Sequence, residues 1–110
     1  MERIHYTGGS ILTGSDIARA LLDYAGALAA TDGSEIVDIP SLHSDGTIGR
    51  ATFLIGPASQ LVSETEPSDH DELVDADLVA GFRASTARLT AANVAGPAEP
   101  IAYTEELDDL

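Results

Sequence analysis

The sequence predicts an α+β domain of order ββαβββα: a mostly antiparallel sheet of about five strands, one helix packed across it and a second helix C-terminal to it. Three observations carry this expectation. Two alternating apolar runs, Glu35 to Leu42 and Ile48 to Ile55, flank the turn Ser44-Asp45-Gly46-Thr47. Apolar residues recur at helical spacing from Asp16 to Ala30 and again beyond Asp69. Gly8-Gly9, Gly56-Pro57 and Gly96-Pro97 punctuate the chain between these runs.

The chain opens with Ile4, Tyr6 and Ile11 alternating with His5 and Ser10 around Thr7-Gly8-Gly9, the pattern of a short hairpin whose glycines take the tight turn. Thr13 stands before Gly14-Ser15-Asp16, a spacing that lets its hydroxyl cap a helix. Ile17, Leu21, Tyr24 and Leu28 then form one face, with Arg19 and Asp23 as an i, i+4 pair outside. Thr31-Asp32-Gly33 ends this helix, with Gly33 the residue suited to a left-handed cap.

In the central hairpin, Gly46 can take positive φ without a Cβ clash. Ala51, Phe53 and Ile55 share the core face with Val37 and Ile39, while Arg50, Thr52 and Leu54 point outward. Pro40 cannot donate to a ladder, so the first strand is expected at a sheet edge or to end early. A fifth strand follows from Gln60 to Thr65. Ser68 is placed to cap a helix from Asp69 to about Ala92, with Val74, Leu78, Phe82, Ser85 and Leu89 as its stripe. Asp69, Asp71 and Glu72 at its start and Arg83 and Arg88 in its second half would match the helix dipole. Residues 1–96 read as one domain and 97–110 as a flexible acidic tail, its first part pinned by Ile101 and Tyr103.

This layout, with Gly49-Arg50-Ala51-Thr52 entering a strand that ends before Pro57, resembles small uncharacterised ββαββ-type proteins of actinobacteria over roughly residues 3 to 65. The resemblance implies a fold and a lineage. It lends no functional residue to this chain.

The 110 residues carry a formal net charge of −14, with arginine as the only strong base and no lysine or cysteine. Binding to a nucleic-acid backbone is not expected of such a chain. Schiff-base chemistry, a P-loop lysine, disulfides and cysteine nucleophiles are excluded by composition. No apolar run is long enough for a membrane span, and the chain reads as cytoplasmic. Residues 61–110 hold most of the acids. Low lysine beside abundant Ala, Gly, Asp and Arg also fits a GC-rich genome or salt adaptation.

Candidate chemistry is sparse. His43 and Asp45 in the turn, with His70 and Asp71, could form a metal shell if their loops met, although neither segment has a ligand spacing. Leu73 and Val74 stand where a calcium loop needs oxygen ligands and glycine. Gly56-Pro57-Ala58-Ser59-Gln60 lacks the second glycine of a nucleophile elbow. Asp16 would repel phosphate from the glycine-preceded helix start. The strongest electrostatic feature is the acidic face Glu64, Glu66, Asp69, Asp71, Glu72, Asp75 and Asp77, which could meet a basic partner. The expectation is therefore a non-enzymatic protein without cofactor, acting through protein contacts as a homodimer because edge strands and the off-stripe residues Leu73 and Val79 need covering. The alternatives are an acidic inhibitor, immunity-type or nucleic-acid-mimic protein, and a weak metal-dependent site at His43 and His70.

Overall fold

A computed structural model describes residues 1–95; the expected tail, with Ile101 and Tyr103, lies outside the described residues. The order is β1 (Glu2–Tyr6), β2 (Gly9–Thr13), α1 (Ser15–Ala30), β3 (Glu35–Leu42), β4 (Ile48–Ile55), β5 (Val62–Thr65) and α2 (Ala76–Ala95). The fold is thus α+β in the order ββαβββα. All strand pairs are antiparallel, in the sheet order β4-β3-β2-β1-β5. Among the described residues no helix is long and apolar enough to cross a membrane.

α1 buries Ile17, Ala18, Ala20, Leu21, Tyr24 and Leu28. The helix lies between the sheet and α2, and its small Ala positions let both layers approach. Ile4, Val37, Ile39 and Ile55 meet it from the sheet, and Phe82 from α2, where its ring stacks on Tyr24 with centroids 5.5 Å apart. Asp23 is bridged at 3.7 Å to Arg83 of α2, not to Arg19 as expected, so this pair ties two helices together instead of decorating one.

The strand limits of the β3–β4 hairpin match the sequence reading, and Gly46 takes φ 88°. Pro40 misled as to position: β3 runs through it and lies second from the sheet edge. The backbone explains why. His43 N donates to Thr47 O at 2.8 Å, so odd-numbered residues of β3 face β4 and Pro40 turns its missing donor toward β2. β2 pairs with β3 only at Leu12 and Leu42, and the Thr13 hydroxyl donates to Pro40 O at 2.7 Å.

That bond removes Thr13 from the helix cap; Gly14 is the N-cap and has no side chain to offer. At the other end of α1, Asp32 takes the left-handed conformation at φ 56°, in place of Gly33. Asp32 N bonds Ala29 O and Gly33 N bonds Leu28 O, the two bonds of a Schellman ending with aspartate in the left-handed position.

The larger correction concerns residues 60–75. β5 begins at Val62 rather than Gln60, and α2 begins at Ala76, seven residues later than Asp69, running to Ala95. Asp75, not Ser68, is the cap: its carboxylate accepts from Leu78 N at 3.1 Å, while the Ser68 hydroxyl accepts from His70 N in a local turn. Segment 66–75 instead crosses the end of the sheet to seat Leu73, 8% exposed, against the start of α1. Val74 is consequently outside the helix and 78% exposed, and the stripe starts at Leu78. Asp69, Asp71 and Glu72, expected to match the α2 dipole, lie before the helix; Asp75 and Asp77 stand at its start instead, and neither Arg83 nor Arg88 falls in its last turn.

Candidate interaction surface

The outer face of the β3–β4 hairpin has no layer over it among the described residues. Residues alternate strictly along β4: Ile48, Arg50, Thr52 and Leu54 are exposed, while Gly49, Ala51 and Phe53 are half-buried and Ile55 is buried. The register places Ile36 opposite Leu54 and Leu42 opposite Ile48. Ile36, Ile48 and Leu54 are 70%, 65% and 63% exposed, so the apolar side chains at both ends of the ladder meet solvent. Between them Arg50 binds Asp38 at 3.1 Å across the strands.

The edge of this hairpin is free as well. β4 pairs with β3 alone among the described residues. Since odd residues face β3, Ile48, Arg50, Thr52 and Leu54 direct their backbone N–H and C=O groups outward. This eight-residue strand has no proline and no lysine, and Arg50 is the one charged side chain that blunts its edge. The opposite edge, β5, is shorter at four residues and presents Glu64. Charge separates the two edges further, because residues 46–63 contain neither Asp nor Glu in a chain that has 19 acids.

The acidic residues singled out from the sequence do not form one unpaired face. Arg3 donates through both Nε and a terminal nitrogen to Glu66, at 2.7 and 2.8 Å, which holds the Glu66 carboxyl below its usual pKa. Glu64 lies 2.6 Å from His5 Nε2. Burial would raise the Glu72 carboxyl, but the Ser15 hydroxyl and amide and the Met1 ammonium at 3.4 Å outweigh it and lower its pKa. With Asp75 capping α2, the residues of this set without a side-chain partner among the described residues are Asp69, Asp71 and Asp77. Spacing along the sequence could not reveal this, because the partners Arg3, His5 and Ser15 lie some sixty residues away.

His43 and His70 both line a cleft of about 560 Å³ where β2 and β3 part, together with Arg3, Arg50, Glu66 and Asp69. The rings serve as packing: His43 covers Gly49 and His70 covers Gly46. Asp45 is taken up by the turn, its Oδ1 accepting from the Thr47 amide and hydroxyl, the hydroxyl first in holding its pKa low. Among the described residues no group of three or more His, Cys, Asp or Glu could hold a metal ion. Leu73 and Val79, expected as oligomer contacts, pack against the core instead. Phe53 is half-buried and stacks on Tyr6 at 6.1 Å, a flank of the core rather than its centre. The surface that sequence reasoning passed over is therefore Ile36, Ile48 and Leu54; for Ile48 and Leu54 a signal was present in the acid-free stretch 46–63. Compared with protein-family models, with curated protein sequences and with solved structures, the chain matches none.

Proposed function

We propose that this is a non-enzymatic, cytoplasmic protein that works by binding another polypeptide along β4. The observation that carries the reading is the coincidence, on one strand, of a free hydrogen-bonding edge, exposed Ile48 and Leu54, and the absence of acids. Addition of a strand to such an edge supplies backbone hydrogen bonds, and the exposed apolar side chains supply pockets and area. Leaving the edge uncovered would invite non-specific pairing, which this chain opposes through its overall negative charge and the single edge charge Arg50. A photo-cross-linking residue in place of Thr52, compared with one in place of Asp71, tests the reading in extract of the producing cell. Adducts at position 52 and not at 71 are expected. Adducts at 71 alone would transfer the function to the acidic segment and a basic partner.

A further inference from the structure

We propose that the polypeptide seated on β4 is a second copy of this chain, paired antiparallel with Ala51 on the two-fold axis. The proposal rests on the reading of β4 as the binding edge and adds its occupant and register. The two β4 strands then become the centre of a ten-stranded sheet across the dimer, five from each copy.

The register follows from the outward groups. Only Ile48, Arg50, Thr52 and Leu54 can exchange backbone hydrogen bonds with a partner, so even-numbered residues must stand opposite even-numbered ones. Four centrings pair five or more of the eight residues. Centring on Phe53 sets Thr52 opposite the partner's Leu54 and leaves both copies of Ile48 outside the ladder. Centring on Arg50 sets two arginines directly opposite, which like charge disfavours. Centring on Thr52 sets Arg50 opposite the partner's Leu54 and leaves both copies of Ile48 without an apolar neighbour. Centring on Ala51 sets Ile48 opposite the partner's Leu54 twice and Arg50 opposite the partner's Thr52 twice.

The other sheet face is equally consistent with that centring. Ala51 meets its own symmetry mate in the closely spaced, non-hydrogen-bonded position, where a small side chain fits. Gly49 stands opposite the partner's Phe53, and the space above Gly49 already holds the His43 ring, so the partner's half-buried ring meets His43 there. Arg50 keeps its own Asp38 at 3.1 Å and adds no unpaired charge to the contact.

Charge permits self-association along this strand. Two copies, each at −14, repel over most of their surfaces. β4 lies within residues 46–63, which hold no Asp or Glu, so two copies can approach along it without bringing acid to acid. The longer acid-free stretch, 78–98, lies mostly on the helix α2, which offers no strand edge to pair.

The chain has no cysteine, which makes the register readable by cross-linking. Ala51→Cys, Arg50→Cys and Thr52→Cys are each oxidised with diamide after circular dichroism has shown the native spectrum. In the proposed register Ala51→Cys forms a disulfide dimer at least tenfold faster than the other two, since the symmetry mates' Cα atoms there lie about 4.5 Å apart. Faster linkage at position 50 or 52 would overturn the register. Sedimentation of the unsubstituted full chain provides the second measurement: a dimer is expected at high micromolar concentration, and Ile48→Lys should weaken it at least tenfold although it lowers the net repulsion. A monomer at every concentration would overturn the second copy as occupant. In that case adducts at Thr52 in extract would leave the β4 reading standing, and their absence would remove it too. Protection of the outward β4 amides in a monomer would place the chain's own residues 96–110 on the edge, again against the proposal.

Discussion

Replacing Gly14 by Ala tests whether segment 66–75 is seated on the start of α1, the contact that fixes where α2 can begin. Gly14 has φ −68° and ψ 150°, a conformation open to any residue, so a side chain there meets no backbone penalty. Its Cβ would, however, lie 2.9 Å from the Leu73 carbonyl carbon and closer still to the carbonyl oxygen. The obstacle is main chain, and no rotamer change relieves it. If the backbone absorbs the overlap, overpacking costs roughly 1–3 kcal/mol. If the segment lifts instead, it exposes Leu73, whose burial is worth about 1.5–3 kcal/mol, and parts Glu72 from Ser15. The change from glycine to alanine at a helix N-cap contributes up to about 1 kcal/mol more. The expected loss is therefore about 2–4 kcal/mol, a large share of the roughly 5–15 kcal/mol typical of a domain. Urea unfolding followed by circular dichroism measures it, with Gly26→Ala as the control. Nothing lies within 4 Å of a Cβ at Gly26, and that change should stabilise α1 by up to about 1 kcal/mol. A loss below about 1 kcal/mol for Gly14→Ala is what the cap change alone would give, and it would refute the seating of Leu73.

The remaining predictions concern single contacts and charge. Asp32→Gly should stabilise by about 0.5–1 kcal/mol in the same urea assay, because Asp32 holds φ 56° at the helix ending; an equal loss would show that its side chain contributes more than its backbone costs. Burial, then the bond to Glu35 Oε1 at 2.6 Å, raises the Tyr24 hydroxyl to about 12. The folded state keeps this proton while the unfolded chain releases its own near 10, so stability falls as pH rises from about 10 toward 12. Tyr24→Phe should flatten that fall, and an unchanged alkaline profile would contradict the assignment. Sodium chloride should raise Tm from low to moderate concentration, since the Debye length shrinks from roughly 30 Å to 10 Å and screens the net charge, while exposed pairs such as Arg50–Asp38 contribute only about 0–1 kcal/mol each. A falling Tm would mean that the ion pairs outweigh the repulsion.

The parts of the fold legible in the sequence were those where local chemistry and tertiary packing agree. Asp45-Gly46 and the two alternating runs set the limits of both hairpin strands but left their register open by a residue or two, and the structure fixes it with Glu35 opposite Ile55. The stripe of α1 was equally plain. Local signals failed where a distant group outcompeted them: Thr13 gave up the helix cap for Pro40 O, and Asp23 chose Arg83 over Arg19. Segment 66–75 shows the same competition, since Ser68 with its following acids and Asp75 are both acceptable caps, and burial of Leu73 decided for the second. The β4 surface was half legible. The alternation identified which side chains point outward, but only the strand order shows that β4 is terminal and that its edge is free among the described residues.

Residue-resolved amide hydrogen exchange along β4, from low to high micromolar protein, tests the role of this edge most directly. Gly49, Ala51, Phe53 and Ile55 face β3 and should be protected at every concentration. The amides of Ile48, Arg50, Thr52 and Leu54 should exchange rapidly when dilute and become protected as the protein associates. Rapid exchange of these four at all concentrations, in purified protein and in cell extract alike, would contradict β4 as a binding edge.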